Sequence, residues 1–212
     1  MNDIWNNGFR SFEVDVRFGD NQITNFQVGH NHGVMGVSFE ELINSVDYTK
    51  INRIWLDFKN LTVENHNQAL QRLNYLDKKY NIKKNLIVES GTKKKIFQVF
   101  NQDGWHTSYC LPTDNIIKLL QKNDIKQMKV IANQISQQVK KQKLQAISFD
   151  HRLYQFVKKY LEYKISKKIV YHVWYAPPLK DIDFQDKLLQ NKIYLDKRVK
   201  TLLSKYQSPF NL

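Results

Sequence analysis

Apolar and polar positions alternate strictly in two early stretches of the chain. In Ser11–Phe18 the apolar residues Phe12, Val14, Val16 and Phe18 share one face, and Ser11, Glu13, Asp15 and Arg17 share the other, because strand side chains alternate with period two. Arg53–Lys59 repeats the pattern, with Ile54, Leu56 and Phe58 facing one way and Asp57 and Lys59 the other. Together these predict strands at Arg10–Phe18 and Arg53–Lys59. Further β-rich runs predict strands at Asn85–Ser90, His106–Leu111, Ala146–Asp150, Lys168–Tyr175 and Lys192–Leu195.

Helical patterns lie between them. Ser38-Phe39-Glu40-Glu41 is a capping-box signature. Ala69, Leu70, Leu73 and Leu76 recur at helical spacing, as do Ile116, Leu119, Leu120, Met128 and Ile131 further on. Leu153, Phe156, Val157 and Tyr160 form another apolar stripe. Alternation of strand and helix predicts an α/β fold with a parallel sheet wrapped by helices. A doubly wound nucleotide-binding sheet needs a Gly-rich turn after an early strand, and neither G-x-G-x-x-G nor G-x-x-x-x-G-K occurs. The expectation is therefore a (β/α)8-type TIM barrel as a single domain over residues 1–212. It is short by about one unit against the ~250 residues of a complete barrel, and the missing unit is expected at the N-terminus.

Composition changes this picture little. The protein is 42% hydrophobic with 7 Gly and 4 Pro, which suits a packed domain and argues against disorder. The net charge is +13, but it is spread along the sequence. Lys93-Lys94-Lys95 and Lys140-Lys141 fall inside helical patterns and read as solvated faces. No specific nucleic-acid partner is expected. Cys110 is the only cysteine, so no intrachain disulfide can form, and it reads as a buried thiol. With no signal peptide and no apolar run long enough for a transmembrane segment, the protein reads as cytoplasmic.

Chemistry enters through the polar faces of the first two strands. Buried parallel strands normally read as continuous Val, Ile and Leu, so Glu13, Asp15, Asp57 and Lys59 on strand faces point to a site inside the barrel. Three carboxylates cannot all stay ionised at close range without a compensating cation. One lysine is too little, and oxygen-only donors suit Mg²⁺, Ca²⁺ or Mn²⁺ better than Zn²⁺. The loop Val28-Gly29-His30-Asn31-His32-Gly33 adds two histidines. His30 suits general acid–base work, because its pKa lies near neutral. The same alternation makes Arg17 a substrate-binding candidate, and His32, Glu89 on the third strand and Trp174 on a late one join it. Asp150-His151 reads as a helix cap, His172 as a satisfied core histidine, and His66 and His106 as structural.

The stretch Asn7-Gly8-Phe9-Arg10-Ser11-Phe12-Glu13-Val14-Asp15-Val16, followed by the loop at His30, resembles the glycerophosphodiester phosphodiesterase pattern of an E-x-D strand and a His-containing loop. Val173-Trp174-Tyr175 resembles a late strand of that family, and Lys192–Arg198 its closing G-I-x-T-D-x-P segment. The resemblance implies metal ligation by Glu13 and Asp15, with Asp57 as third ligand. Asp57-Phe58-Lys59 looks like the D-x-K variant of the sphingomyelinase D and menorin branches, which implies that Lys59 contacts the substrate phosphate and His30 serves as acid/base. The sequence departs from the family in three places. The first strand with its His motif is absent, His30-Asn31 stands for the H-D pair, and Leu195-Asp196-Lys197-Arg198 replaces T-D-x-P. The expectation is either a first strand missing upstream or a degenerate homologue.

The leading functional expectation is metal-assisted cleavage of a phosphodiester small molecule or lipid headgroup, with Mg²⁺ or Ca²⁺ as cofactor. Cleavage would be hydrolytic or would form a cyclic phosphate. Two others stand beside it: a non-catalytic homologue that binds a phosphorylated ligand or serves as a partner module, and a nucleic-acid binder resting on charge alone. A barrel lacking a strand exposes sheet edges, which also predicts a homodimer covering the gap.

Overall fold

The structure, a computed structural model, describes residues 8, 10–19, 24–33, 36–93, 95–179 and 192–206. The protein divides into two compact units, residues 1–107 and 108–212.

In the first unit the strands are β1 (Ser11–Phe18), β2 (Phe26–Val28), β3 (Arg53–Phe58) and β4 (Leu86–Ser90), in the order β2-β1-β3-β4. β1, β3 and β4 run parallel, whereas β2 folds back antiparallel on β1, pairing Val16 with Val28 and Phe18 with Phe26. The expected all-parallel arrangement is thus corrected at its edge: β2 covers the C-terminal half of β1 on the side where a preceding strand would lie. Apolar faces drive the assembly. Val16, Phe18, Phe26, Ile54, Leu56 and Phe58 are almost wholly buried, and the Phe26 ring packs against both Phe18 and Phe58.

The helices of this unit are α1 (Phe39–Asn44), α2 (His66–Tyr80) and α3 (Phe97–Gln102). Ser38 and Glu41 form the capping box that opens α1. α2 buries Ala69, Leu73, Leu76 and Tyr80 at helical spacing and ends at Asn81, whose φ of 53° places it in the left-handed region. Glu40 on α1 receives Arg72, Lys79 and Tyr80 from α2, tying the two helices together. Lys93 and Lys95 lie in the loop before α3, not in a helix as expected.

The division between units falls within β5 (His106–Cys110). The second unit continues with β6 (Ala146–Asp150), β7 (Val170–Leu179) and β8 (Val199–Tyr206), all parallel in the order β5-β6-β7-β8. Its helices are α4 (Thr113–Gln121), α5 (Ile125–Lys141) and α6 (Tyr154–Phe156), which runs on as a π-helical stretch, Val157–Leu161. The expected strand at Lys192–Leu195 is a turn. Only Ile193 of that run is buried, and Asp196 closes the turn by accepting the Arg198 N–H at 2.9 Å. The strand begins afterwards, at Val199. Cys110 is only half-buried, and so less enclosed than expected. No helix among the described residues is long and apolar enough to cross a membrane.

Candidate active site

Parallel pairing sets the charged residues in rows. Along β1 and β3, Glu13 lies opposite Trp55 and Asp15 opposite Asp57. Between β3 and β4, Trp55 lies opposite Ile87 and Asp57 opposite Glu89. The result is one layer of three carboxylic residues, Asp15-Asp57-Glu89, beside a layer of Glu13, Trp55 and Ile87. Trp55 is 2% exposed and Ile87 1%, so the carboxyl group of Glu13 shares its layer with two buried apolar side chains. Glu89 is itself 2% exposed, deeper than a strand-end residue facing solvent.

One carboxylate oxygen from each of Glu13, Asp15 and Asp57 lies within 4.8 Å of the others. Into this group reaches Lys59, the residue just past β3. Its Nζ lies 2.8 Å from Asp15 Oδ1 and donates to Asp57 Oδ2 at 2.5 Å. The Lys59 backbone N–H donates to Val16 O at 3.0 Å, fixing the stem from which the side chain returns.

The electrostatics follow from crowding and burial. Burial, then the charge and hydrogen bond of Asp15, push Glu13 up to about 8. Asp57 is also raised, chiefly by burial, although the Lys59 hydrogen bond and charge pull against it. Burial works against the Lys59 charge, but hydrogen bonds to Asp15 and Asp57 outweigh it and hold the ammonium above its ordinary value. A neutral Glu13 and a charged Lys59 thus offset much of the mutual repulsion.

His30 lies on the loop after β2. It is exposed, and its Nδ1 is 2.9 Å from Asn31 Oδ1. It is close enough to Asp57 for its charge to favour the ionised carboxylate. The loop is tied to the site by its backbone, since Gly29 N–H donates to Asp15 O at 2.9 Å. Its far end is fastened where Val28 N–H donates to Val37 O at 2.9 Å and Gln27 bridges Ser38. His32 is exposed on the same loop, and Arg17 is half-buried on β1 opposite Gln27.

Trp174 belongs to the second unit. It is half-buried in the middle of β7, which extends to Leu179, and it pairs with Asp150 and Leu203. His172 is buried, with Nδ1 3.0 Å from Ser108 Oγ. Asp150 caps the turn after β6 by accepting the Arg152 N–H at 2.8 Å, and the Arg152 guanidinium binds both of its oxygens.

Two positioning residues escape the sequence patterns. Asn60 clamps the end of β1, its Oδ1 accepting the Phe18 N–H and its Nδ2 donating to Phe18 O, both at 2.9 Å. Asn65 in turn donates from Nδ2 to Asn60 O at 2.8 Å and accepts the Thr62 N–H. Their only signal is the pair of amides shortly after Lys59.

The donor set fits a hard divalent cation, since it offers three carboxylates from two adjacent rigid strands and no sulfur.

The arrangement of parallel strands and helices defines an α/β fold, and comparison with solved structures specifies it further. The protein shares its fold with a glycerophosphodiester phosphodiesterase from Parabacteroides distasonis, at TM-score 0.58 and 13% identity over 94% of this chain and 81% of that one. It is likewise similar to a protein assigned as a glycerophosphoryl diester phosphodiesterase from Silicibacter pomeroyi, at TM-score 0.56 and 11% identity over 95% and 82%. A third is a protein assigned as a glycerophosphodiester phosphodiesterase from Galdieria sulphuraria, at TM-score 0.52 and 13% identity over 95% and 84%. No family model matches the sequence, and no curated protein matches it. The likeness expected from the E-x-D strand and His loop is borne out at the level of the fold.

Proposed function

We propose that this protein is a metal-assisted phosphodiesterase acting on glycerophosphodiesters or related lipid headgroups, built as an incomplete (β/α)8-type barrel in a single domain. The observation that carries the reading is the convergence of Glu13, Asp15 and Asp57 around Lys59 on adjacent parallel strands. The fold it shares with glycerophosphodiester phosphodiesterases supports the same reading.

In this reading Glu13, Asp15 and Asp57 hold Mg²⁺ or Ca²⁺. The bound cation would supply charge stabilisation at the phosphoryl oxygens. Lys59, held charged by Asp15 and Asp57, turns to the substrate phosphate as a second clamp. His30 exchanges a proton with the leaving or the attacking oxygen. Arg17, His32 and Glu89 complete the proposed substrate contacts.

The test is release of free alcohol from glycerophosphodiesters and lysophospholipids, in Mg²⁺ or Ca²⁺ and in chelator, by wild type and Asp15→Asn. Activity confined to wild type with metal supports the proposal. Equal activity in chelator sinks it.

One observation favours a second reading. His30 is exposed and its Nδ1 is engaged by Asn31, so the described residues offer one clear acid/base group where phosphodiester chemistry uses two. A non-catalytic homologue would bind the phosphodiester through the same carboxylates and lysine and leave it intact.

A further inference from the structure

The two most exposed large apolar side chains among the described residues are Leu195, 68% exposed, and Tyr163, 67% exposed. They stand on two segments fastened to each other. Lys158 Nζ reaches Asp196 at 3.0 Å and Glu162 at 2.5 Å. Arg198 reaches Glu162 at 3.4 Å and donates to Ser166 O and Ile169 O. Tyr154 OH donates to Asp196 Oδ2 at 2.9 Å. Close by in sequence, Ile165, Ile169 and Ile193 are buried. The outward position of Leu195 and Tyr163 is therefore set by a pinned framework.

The charge around them is one-sided. Residues 158–168 and 192–198 carry eight Lys and Arg against two carboxylates. Both carboxylates, Glu162 and Asp196, are taken up by Lys158 and Arg198. Lys159, Lys164, Lys167, Lys168, Lys192 and Lys197 form no ion pair among the described residues. Six cations thus lie on the same two segments as a projecting leucine and two tyrosines, since Tyr194 is exposed as well, at 48%.

We propose that this face is a peripheral docking surface for an anionic lipid bilayer. Lysines near such a surface gain from its negative potential, tyrosine suits the headgroup level, and an aliphatic side chain gains by entering the acyl boundary. A nucleic acid is the poorer fit, because Leu195 can neither stack on a base nor hydrogen-bond to one. The two segments immediately precede β7 and β8, so the patch lies at the N-terminal end of these strands, whereas barrel chemistry is built on C-terminal ends. The surface shares no residue with the proposed site, so docking and cleavage should be separable.

The experiment is co-sedimentation of the full-length protein with phosphatidylcholine vesicles, with and without about a third of phosphatidylserine. The expected result is binding to the anionic vesicles alone, weakening as salt is added. Tyr163→Ser with Leu195→Ser should lower partitioning about tenfold, and Lys167→Gln with Lys168→Gln roughly fivefold per lysine. Thermal melts and hydrolysis of a water-soluble phosphodiester should be unchanged in these variants. Asp15→Asn, which tests the proposed chemistry, should still sediment. No binding to anionic vesicles, binding that survives both double variants, or capture by duplex nucleic acid in place of vesicles overturns the proposal.

Discussion

Asn60 grips Phe18 through both halves of its amide, accepting the backbone N–H and donating to the backbone carbonyl of the same residue. It does for the end of β1 what another strand residue would do, one position past Lys59. The grip fixes the height of β1 relative to β3, and with it the spacing of Asp15 and Asp57. Asn60→Ala should therefore leave two part-buried backbone groups short of partners and lower stability by ~1–3 kcal/mol. Denaturant unfolding measures this, and a loss under about half a kcal/mol would mean that solvent replaces the amide.

Glu13 supplies a pH signature. The unfolded protein releases its proton near 4.5, whereas the folded protein holds it to about 8. Between these values the native state binds more protons than the unfolded one, so stability falls as pH rises through the window. The contribution is fully present below the lower value and lost above the upper one. In chelator, Glu13→Gln should flatten this slope and exceed wild type at the alkaline end by roughly 1–3 kcal/mol. Parallel pH profiles of stability for wild type and variant would contradict this account.

Metal binding should report the same proton from the other side. A cation needs Glu13 ionised, so affinity for Mg²⁺ or Ca²⁺ should climb with pH up to about 8 and the heat should depend on buffer as the proton leaves. Asp15→Asn or Asp57→Asn removes a charged donor and should weaken affinity about tenfold or more. Calorimetry with equal heats in wild type and both variants would place the cation elsewhere.

The site was legible in part because its signal is local. Period-two alternation within Ser11–Phe18 and Arg53–Lys59 is enough to put Glu13, Asp15, Asp57 and Lys59 on matching faces. β2 escapes because three residues carry no periodicity and its pairing depends on a reversal of direction. Lys192–Leu195 misleads because its composition suits a strand, yet Tyr194 and Leu195 have nothing to pack against and stay exposed. Asn60 is invisible to any pattern, since its partner lies 42 residues away.

His30→Ala should reduce phosphodiester cleavage by ~10²–10⁴ while leaving metal affinity in place, because the ring is not among the three clustered carboxylates. Steady-state kinetics beside calorimetry separates the two effects. A fall in metal affinity as large as the fall in rate would make the histidine a ligand instead.

Gly36 offers a structural control on the same loop. A Cβ there would lie 2.3 Å from Val28 O, a backbone atom that cannot swing aside. Gly36→Ala should cost ~1–3 kcal/mol through the forced backbone shift, read as a lowered melting temperature. An unchanged melting temperature would mean the loop stem yields freely.

The stem of that loop bears on how such a molecule could diversify. Val28, Val37, Gln27 and Ser38 close its base, while the carboxylates sit on β1 and β3 and Lys59 just past β3, where Asn60 braces the end of β1. The histidine segment is therefore a cassette plugged into a finished frame. Between Gly29, whose N–H holds Asp15 O, and Gly36, where no Cβ fits, its residues can be exchanged without disturbing the strands beneath, so the chemistry presented above the carboxylates can change by rewriting one short insert.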